Sequence, residues 1–286
     1  GMSVYNLGPS VSVFIVAEAG SNHMGDIVLA MRLIDAAADA GADAVKFQMF
    51  RADRLYEPGP LREVARQWEM PLFWLPDLAE RAERRGLEFM CSAFDKGSID
   101  AVDPYVKRHK IASLEATDTE LVAHAVSKGK PLIISTGTMD RTEIARLNLV
   151  IGPTYRRVVP TTLLHCVSAY PAPLDQANMR VLGFENEEWY ASRCEGLSDH
   201  STDPLILPIM AVALGARVIE KHLRLADTPF DAPDFPHSTT PYEFGAMVGA
   251  IRAAESALGD GQKRAMPCEG PMMALRRGPG KLRGEA

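Results

Sequence analysis

The sequence has 286 residues, of which 47% are hydrophobic and 24% charged, and its formal net charge is −6 at pH 7. These proportions are typical of an ordinary globular protein with one large domain or two small ones. Because the Lys and Arg residues are scattered and the sum is acidic, the charge argues against nucleic acid as a partner. Any phosphate that the protein binds is therefore expected to belong to a small ligand.

The sequence shows neither a targeting segment nor a membrane span. Residues 1–3 resemble a cleavage scar before an initiator Met, and no charged segment followed by an apolar run indicates a signal peptide. No apolar run approaches the ~20 residues needed to cross a bilayer. The four cysteines have no CxxC spacing, which predicts reduced thiols: Cys91, Cys166, Cys194 and Cys268. We therefore expect a cytoplasmic protein without a membrane partner.

Short apolar segments rich in β-branched residues alternate with longer segments of helical periodicity, which is typical of a parallel sheet with crossover helices. Eight segments are predicted as strands: 13–18, 44–48, 87–92, 108–113, 131–136, 161–168, 195–198 and 217–222. Helices are predicted over 27–40, 72–85, 120–127, 205–214 and 242–258. Eight repeats of strand and helix favour an α/β fold of the (β/α)8 TIM-barrel type.

Glycines and the first turn bear on this choice of fold. Four glycines each follow a predicted helix and precede a strand, as C-cap glycines do: Gly41, Gly86, Gly129 and Gly215. The alternative is an open doubly wound sheet, but the turn over 18–23 has no GxGxxG or Walker pattern. Since no linker precedes about Gly259, we predict a TIM-barrel domain over residues 1–260 and a basic extension over 261–286.

Nearly every predicted strand is apolar along its length and ends in a polar group capable of chemistry. In chain order these groups are Glu18; Lys46 and Gln48; Ser92; Lys110, Ser113 and Glu115; Ser135 and Thr136; His165, Ser168 and Tyr170; Ser198, Asp199 and His200; and Glu220, Lys221 and His222. In a barrel all of them surround one mouth, where TIM-barrel enzymes place their catalytic groups. Exposure to solvent explains one polar strand end but not eight, so the pattern predicts an active site.

Two histidines indicate a metal site. His200 and His222 end strands seven and eight, so they are expected to project side by side into the same cavity. Two neutral imidazoles with a carboxylate and waters suit Mn²⁺, Fe²⁺ or Zn²⁺. Asp199 and Glu220 are adjacent in sequence, but strand alternation is expected to turn one or both away from the ion. The alternative is that both histidines are structural.

Two lysines lie in strands that are otherwise apolar. Burying an ammonium group without a partner is costly, so Lys46 and Lys110 are expected to bind an anion. The alternative is an internal salt bridge, for instance between Lys110 and Glu115. With several serines at the same mouth, a phosphate or carboxylate ligand is the better explanation, since hydroxyls and lysines together form a mixed hydrogen-bonding and charged site.

The remaining histidines carry weaker signals. His109, His124 and His237 fall in segments of helical or loop character and are expected to be solvated rather than ligating. His23 follows strand one, within reach of the mouth, and stays a possible site residue.

Seven segments, in their order and spacing, closely resemble the N-acetylneuraminate (sialic acid) synthase family. They are IVAEAGSNHMG at 15–25, AVKFQ at 44–48, KIASLE at 110–115, KPLIISTG at 130–137, LHCVSAYP at 164–171, GLSDH at 196–200 and GARVIEKH at 215–222. The resemblance covers about residues 11 to 260. It implies a TIM barrel that joins phosphoenolpyruvate to an N-acetylated sugar, commonly N-acetylmannosamine, and releases phosphate to leave a nine-carbon 2-keto acid.

The resemblance also implies roles for individual residues. His200 and His222 would hold a divalent metal, Mn²⁺ or Mg²⁺, that polarises the open-chain aldehyde. The implied catalytic residues are Glu18, which would steer or deprotonate water, with Lys46, Lys110 and Asp234. The implied substrate-binding residues are Gln48, Ser92, Ser113, Glu115, Ser135, Ser168, Tyr170 and Ser198. The lysines and serines would hold phosphoenolpyruvate, and the others the sugar or metal-bound water.

The chain also departs from the family pattern. Family members usually read Ser-Thr-Pro-Phe-Asp where this chain has Cys-Ser-Ala-Phe-Asp at 91–95, and some carry an amide in place of Ser168. Both changes retain a hydrogen-bonding group. Many members continue into a small antifreeze-like domain that reaches across a dimer to the sugar, whereas this chain stops soon after residue 277. A homodimer is the family expectation.

Two other functions compete with this hypothesis. One is a related phosphoenolpyruvate-condensing synthase for another aldose of a surface polysaccharide, which would share the phosphoenolpyruvate half of the site. The other is a non-catalytic barrel that kept the anion pocket for sensing. The second predicts erosion of the metal and water-activating positions, yet Glu18, His200 and His222 are all present.

Overall fold

In a computed structural model, which describes residues 12–152, 155, 159–183 and 194–277, the chain forms a closed barrel of eight parallel strands in sequential order. The strands are β1 Phe14–Gly20, β2 Ala44–Met49, β3 Glu88–Ala93, β4 His109–Ile111, β5 Leu132–Ser135, β6 Thr161–Cys166, β7 Gly196–Asp199 and β8 Val218–His222. Closure through the pairing of β1 with β8 confirms the TIM barrel and excludes the doubly wound sheet.

All eight predicted strands are present, but two of them end two residues earlier than expected. β4 ends at Ile111 because Ser113–Glu115 forms a 3₁₀ turn, and β6 ends at Cys166 rather than at residue 168. Ser113 and Ser168 therefore lie on loops beyond their strands. Loops at this end of a TIM barrel build the active site, so both residues remain at the mouth.

Helices follow the strands around the outside of the barrel. Those in the described ranges are α1 Ile27–Asp39, α2 Ala52–Leu55, α3 Pro60–Arg66, α4 Leu75–Arg84, α5 Lys96–Val102, α6 Thr119–Ser127, α7 Arg141–Ile151, α8 Arg180–Gly183, α9 Ile206–Ala213, α10 Pro241–Leu258 and α11 Gly270–Met273. The segment predicted over 72–85 begins as a 3₁₀ turn, and the α-helix starts where Pro76 fits its first turn. Gly41, with φ of 84°, ends α1 as predicted. No described helix is both long and apolar enough to cross a bilayer.

The inward-facing residues form layers in the barrel. The lower layer is apolar and buried, and it consists of Val16, Ala44, Met90, Ile133, Leu164 and Val218. Two positions further along the same six strands come Glu18, Lys46, Ser92, Ser135, Cys166 and Glu220. Because side chains alternate along a strand, these groups face the same interior as the apolar layer below them. The barrel interior therefore changes from apolar to polar toward the carboxyl ends of the strands.

The C-terminal residues within the described ranges differ from the barrel in burial. Residues 261–277 are exposed throughout and contain only a 3₁₀ turn and α11. The division into a barrel domain over 1–260 and an extension over 261–286 stays a prediction.

A buried ion pair lies on the outer side of strands β7 and β8. Lys221 Nζ donates to Asp199 Oδ2 at 2.7 Å, and both side chains are fully buried. Their strands pair in register, with Asp199 opposite Lys221. As expected from strand alternation, Asp199 points away from the cavity that receives its neighbour His200. The pair joins β7 to β8, the strands that carry His200 and His222.

We expect Lys221→Met to lower the free energy of unfolding by about 3 to 5 kcal/mol, because it leaves the Asp199 carboxylate buried without a cation. Urea denaturation measures the change. Adding Asp199→Asn to this variant should recover much of the loss. The matched control is Lys96→Met, which breaks an exposed pair with Glu120 and should cost at most about 1 kcal/mol. Equal stability of Lys221→Met and the wild type would show that the pair is not needed.

Candidate active site

A network of buried charges lies in the polar layer of the barrel. Lys46 Nζ is 2.7 Å from Glu18 Oε2 and 3.7 Å from Glu220 Oε2. Lys110 Nζ is 3.5 Å from Glu220 Oε1. All four side chains are at most 6% exposed. Two ammonium groups and two carboxylates thus lie together in the buried polar interior of the barrel.

These ion pairs bear on the two alternatives for the lysines, a bound anion or an internal salt bridge. Each lysine has a buried carboxylate nearby, as in the second alternative, and the binding of an anion stays a prediction. The partner of Lys110 is Glu220 rather than Glu115. In the closed barrel β8 faces β4 across the interior and is separated from β2 by β1 alone, a proximity that the order of residues along the chain does not show.

The same network sets the pKa values of its carboxyl groups. Burial raises the pKa of Glu18 to about 7, since the opposing attraction of Lys46 only partly offsets burial and the repulsion of Glu220. Burial acts in the same direction on Glu220, but Lys110 and Lys46 together lower its pKa to about 2. Glu220 is therefore the permanent anion of the network, and Glu18 is the group that can exchange a proton near neutral pH.

Serine hydroxyls line the cavity beside the lysines. Lys46 Nζ donates to Ser92 Oγ at 2.7 Å, and Lys110 Nζ donates to Ser135 Oγ at 2.9 Å. Because each serine oxygen accepts a hydrogen bond from a lysine ammonium group, the serine's own hydroxyl hydrogen can be donated to an anion. Ser198 Oγ instead donates to Glu220 Oε1 at 3.0 Å, so it holds the carboxylate in place.

The backbone at Gly137 leaves room for two further serines. A Cβ atom added at Gly137 would lie 2.2 Å from Ser168 Oγ and 2.9 Å from Ser113 Oγ. Gly137 N also donates to Ser113 Oγ at 3.0 Å. The loops after β4, β5 and β6 therefore converge at this point. The five predicted serines all border the cavity, although through contacts of different kinds.

Three predicted sugar contacts lie around the charged network. Gln48 Nε2 donates to Glu18 Oε1 at 2.9 Å, while Tyr170 is half exposed and its ring centroid is 4.3 Å from that of His200. Glu115 is buried, and its Oε2 has no hydrogen-bond partner among the described residues. Burial raises the pKa of Glu115 to about 7. A neutral or unpaired carboxyl group at the mouth is available for a ligand's polar groups.

A cluster of imidazoles and a carboxylate lies at the top of β7 and β8. His222 Nδ1 is 3.7 Å from Asp234 Oδ2, and His237 Nε2 is 3.7 Å from Asp234 Oδ1. The ring centroid of His200 is 5.4 Å from that of His222. One donor atom from each of His222, Asp234 and His237 lies within 4.8 Å of the others. The predicted pair of histidines is thus close together, with Asp234 and His237 beside it.

The chemistry of this cluster fits a divalent metal ion. Burial lowers the pKa of His222 well below its usual range, with His237 and His200 adding to the effect, and burial lowers the pKa of His237 to about 3. Both imidazoles are therefore neutral, as metal ligands must be. His200 Nδ1 is 3.0 Å from the carbonyl oxygen of Val167, an outer hydrogen bond of the kind that orients a ligating imidazole.

Two of the histidines expected to be solvated are buried. His109 lies in β4, is 1% exposed and contacts Asp103 Oδ1 at 2.9 Å through Nε2, so its role is structural. His237 is 3% exposed and belongs to the metal-compatible cluster. Only His124 fits the expectation in part, being 26% exposed beside Asp100 on the outer surface. His23 is fully buried, with its ring centroid 5.5 Å from that of Trp74, and stays a possible site residue.

Glu220 was predicted only as a polar strand end, and His237 was expected to be solvated, so neither residue was given a role at the site. Glu220 precedes His222 by two positions, so strand alternation places both on the same face and could have predicted that Glu220 faces the barrel interior. For His237 no such signal exists, because it lies on the 3₁₀ turn Phe235–His237 in the loop after β8. The path of that loop over the barrel mouth decides where its side chain lies.

Comparison with known proteins finds relatives over most of the chain. The profile of the NeuB family matches residues 33–263. The N,N'-diacetyllegionaminic acid synthase of Legionella pneumophila is 39% identical over 94% of this chain and 79% of its own length. The pseudaminic acid synthase of Campylobacter jejuni is 35% identical, with shares of 91% and 79%. The crystal structure of a sialic acid synthetase from Leptospira borgpetersenii is 32% identical, with a TM-score of 0.82 over 92% of this chain and 90% of that chain.

Proposed function

The chain belongs to the NeuB family, and from that membership and the site we infer that it is a carbon–carbon bond-forming synthase. It condenses phosphoenolpyruvate with the open-chain aldehyde of an N-acetylated amino sugar, releases phosphate and leaves a nonulosonic acid. The observation that carries this proposal is the position of the buried lysine and serine network directly below the histidine cluster. Phosphoenolpyruvate can therefore be held by its phosphate and carboxylate groups while its carbon three faces the aldehyde of the sugar.

The lysines and serines form the proposed phosphoenolpyruvate pocket. Lys46 and Lys110 supply positive charge, and hydroxyls such as those of Ser92 and Ser135 supply directed hydrogens. Phosphate and carboxylate groups prefer this combination of fixed charge and hydrogen-bond donors. Glu18 and Glu220 neutralise the two ammonium groups within the protein, so the burial of the lysines does not depend on a bound anion.

Gln48, Glu115 and Tyr170 form the proposed sugar side of the site. They lie toward the mouth, with Tyr170 the most exposed of the three. An N-acetylated sugar offers hydroxyl and amide groups, which these side chains can bind as donors or acceptors. The relatives named above are synthases of different nonulosonic acids. We therefore propose that these three side chains select among N-acetylated sugars.

The proposed reaction forms one carbon–carbon bond and breaks the bond between carbon two and the phosphate oxygen. Carbon three of phosphoenolpyruvate forms a bond to the aldehyde carbon, and the aldehyde oxygen gains a proton to become a hydroxyl. Water then adds to carbon two and gives one proton to Glu18, the proposed acceptor, which balances the proton taken up by the aldehyde oxygen. The carbon–oxygen bond to phosphate breaks with its electron pair leaving on the phosphate, and the hydroxyl at carbon two gives its remaining proton to the departing phosphate and becomes the ketone of the 2-keto acid. The position of Glu18 beside Lys46 keeps its carboxyl group oriented.

His200, His222 and Asp234 are the proposed holders of a divalent ion, which when bound polarises the aldehyde as a Lewis acid. Asp234 is fixed for this role because Ser21 N donates to its Oδ2 at 3.1 Å. Mn²⁺ is the preferred candidate, since imidazole and carboxylate ligands together suit it better than Mg²⁺. A homodimer remains the family expectation.

The proposal is tested by following phosphate release from phosphoenolpyruvate with the metal-loaded protein. The acceptor panel contains mono- and di-N-acetylated amino sugars and the corresponding plain aldoses. We expect release only with N-acetylated sugars, and a nine-carbon 2-keto acid by mass spectrometry. Release with plain aldoses alone would favour a synthase for another surface-polysaccharide sugar. Phosphoenolpyruvate binding without release for any sugar would favour the anion-sensing barrel.

A further inference from the structure

The ring nitrogens of His237 have no hydrogen-bond partner in the part of the chain that the structure describes, although the residue is 3% exposed. An imidazole always carries at least one donor, and an unsatisfied polar group in such a place is destabilising. Native proteins rarely leave such groups unpaired, and each exception calls for a missing water, ion or ligand. The burial of His237 therefore points to a partner that binds at this position.

The distances around Asp234 distinguish a hydrogen bond from a shared ion. Asp234 Oδ1 lies 3.7 Å from His237 Nε2, and Asp234 Oδ2 lies 3.7 Å from His222 Nδ1. Both distances exceed the upper limit of about 3.2 Å for a hydrogen bond from nitrogen to oxygen. Metal–ligand bonds of about 2.1 Å, in contrast, place two ligand atoms of one ion roughly 3 to 4 Å apart.

The loop that carries His237 is held by several contacts. Asn22 Nδ2 donates to Ser238 Oγ at 3.0 Å, and Ser238 Oγ donates to the carbonyl oxygen of Asp234 at 2.6 Å. The Arg224 guanidinium lies 4.2 Å from the ring centroid of Phe235. Phe235 and Ser238, which lie on either side of His237 in the sequence, are thus held in place. The ring centroid of His237 lies 4.3 Å from that of His222.

We propose that His237 is a further protein ligand of the metal ion, which it binds together with His222 and Asp234. This inference rests on the metal site of the proposed function and extends it from the strand ends to the loop after β8. A carboxylate with two or more imidazoles selects borderline transition metals over Mg²⁺. The alternatives are that His237 only packs against Tyr170, 5.0 Å away between ring centroids, or that it contacts the sugar.

The test uses Co²⁺ as the probe with the whole protein and no substrate. Co²⁺ affinity is measured by competition with a fluorescent chelator, and the visible absorption of the bound ion reports its ligands. The variants are His237→Ala and His237→Phe, the second of which preserves ring volume without a nitrogen. We expect both to weaken Co²⁺ binding by at least about 10-fold, the size of effect that even an outer partner of a ligand has, and to shift the absorption bands. Added imidazole should restore the spectrum of His237→Ala.

The matched control is His124→Ala, which removes an imidazole from the outer surface and should leave both readouts unchanged. Unchanged Co²⁺ affinity and spectrum in both His237 variants would overturn the inference, and a raised KM for the sugar alone would reassign the residue to sugar binding. If the wild type bound no Co²⁺, the inference and the proposed metal site would fail together. His237-dependent Co²⁺ binding without phosphate release for any sugar would support the inference while contradicting the proposed function.

Discussion

His222→Ala is expected to abolish metal retention and to lower turnover strongly while the barrel stays folded. His222 ends β8 beside Asp234 and His237, so its loss removes the imidazole at the centre of the cluster. Lewis-acid polarisation of a carbonyl contributes several kcal/mol to transition-state stability, which corresponds to roughly a 1,000-fold loss of kcat/KM. Metal content after gel filtration and initial rates of phosphate release measure the two effects.

The control for this prediction is His109→Ala, which removes another buried strand histidine outside the cluster. It should lower stability, because a buried ring is removed from β4 and Asp103 is left with its ion pair to Lys130, but it should leave metal content unchanged. A His222→Ala protein with stoichiometric metal and full turnover would remove His222 from the metal site. Unfolding curves of both variants separate lost ligation from lost folding.

Lys110→Met is expected to weaken phosphoenolpyruvate binding. The ammonium group lies between Ser135 and Glu220, and it is the proposed contact for an anionic group of the substrate. A hydrogen bond to a charged group contributes about 1.5 to 3 kcal/mol, which corresponds to roughly a 10- to 150-fold increase in Kd. The measurement is calorimetric titration with phosphoenolpyruvate in the absence of sugar.

The barrel should survive this change because Glu220 keeps Ser198 and Lys46 as partners. Lys96→Met, on the surface, serves as the control for loss of one positive charge and should leave the Kd within error of the wild type. If Lys110→Met bound phosphoenolpyruvate with the same affinity as the wild type, the role of Lys110 would be limited to its ion pair with Glu220.

The sequence predicted the barrel well because its signals are local. Short apolar segments and segments of helical periodicity can be recognised without knowledge of the tertiary structure. The eight strands also follow one another in space as they do along the chain. The two strands that end two residues earlier than predicted, β4 and β6, do so where a 3₁₀ turn or a loop continues an apolar segment. Family membership followed from seven motifs and is confirmed by the comparisons.

The sequence by itself determined that polar groups follow apolar strands, and so that they meet at one mouth. Only the tertiary structure decided which of them pair. Glu220 neutralises Lys110 because β8 faces β4 across the barrel, and it neutralises Lys46 because closure of the barrel leaves only β1 between β8 and β2. His237 joins His222 and Asp234 because a loop without periodicity folds back over that mouth. Strand periodicity is set by neighbouring residues, whereas such pairings depend on distances across the closed barrel.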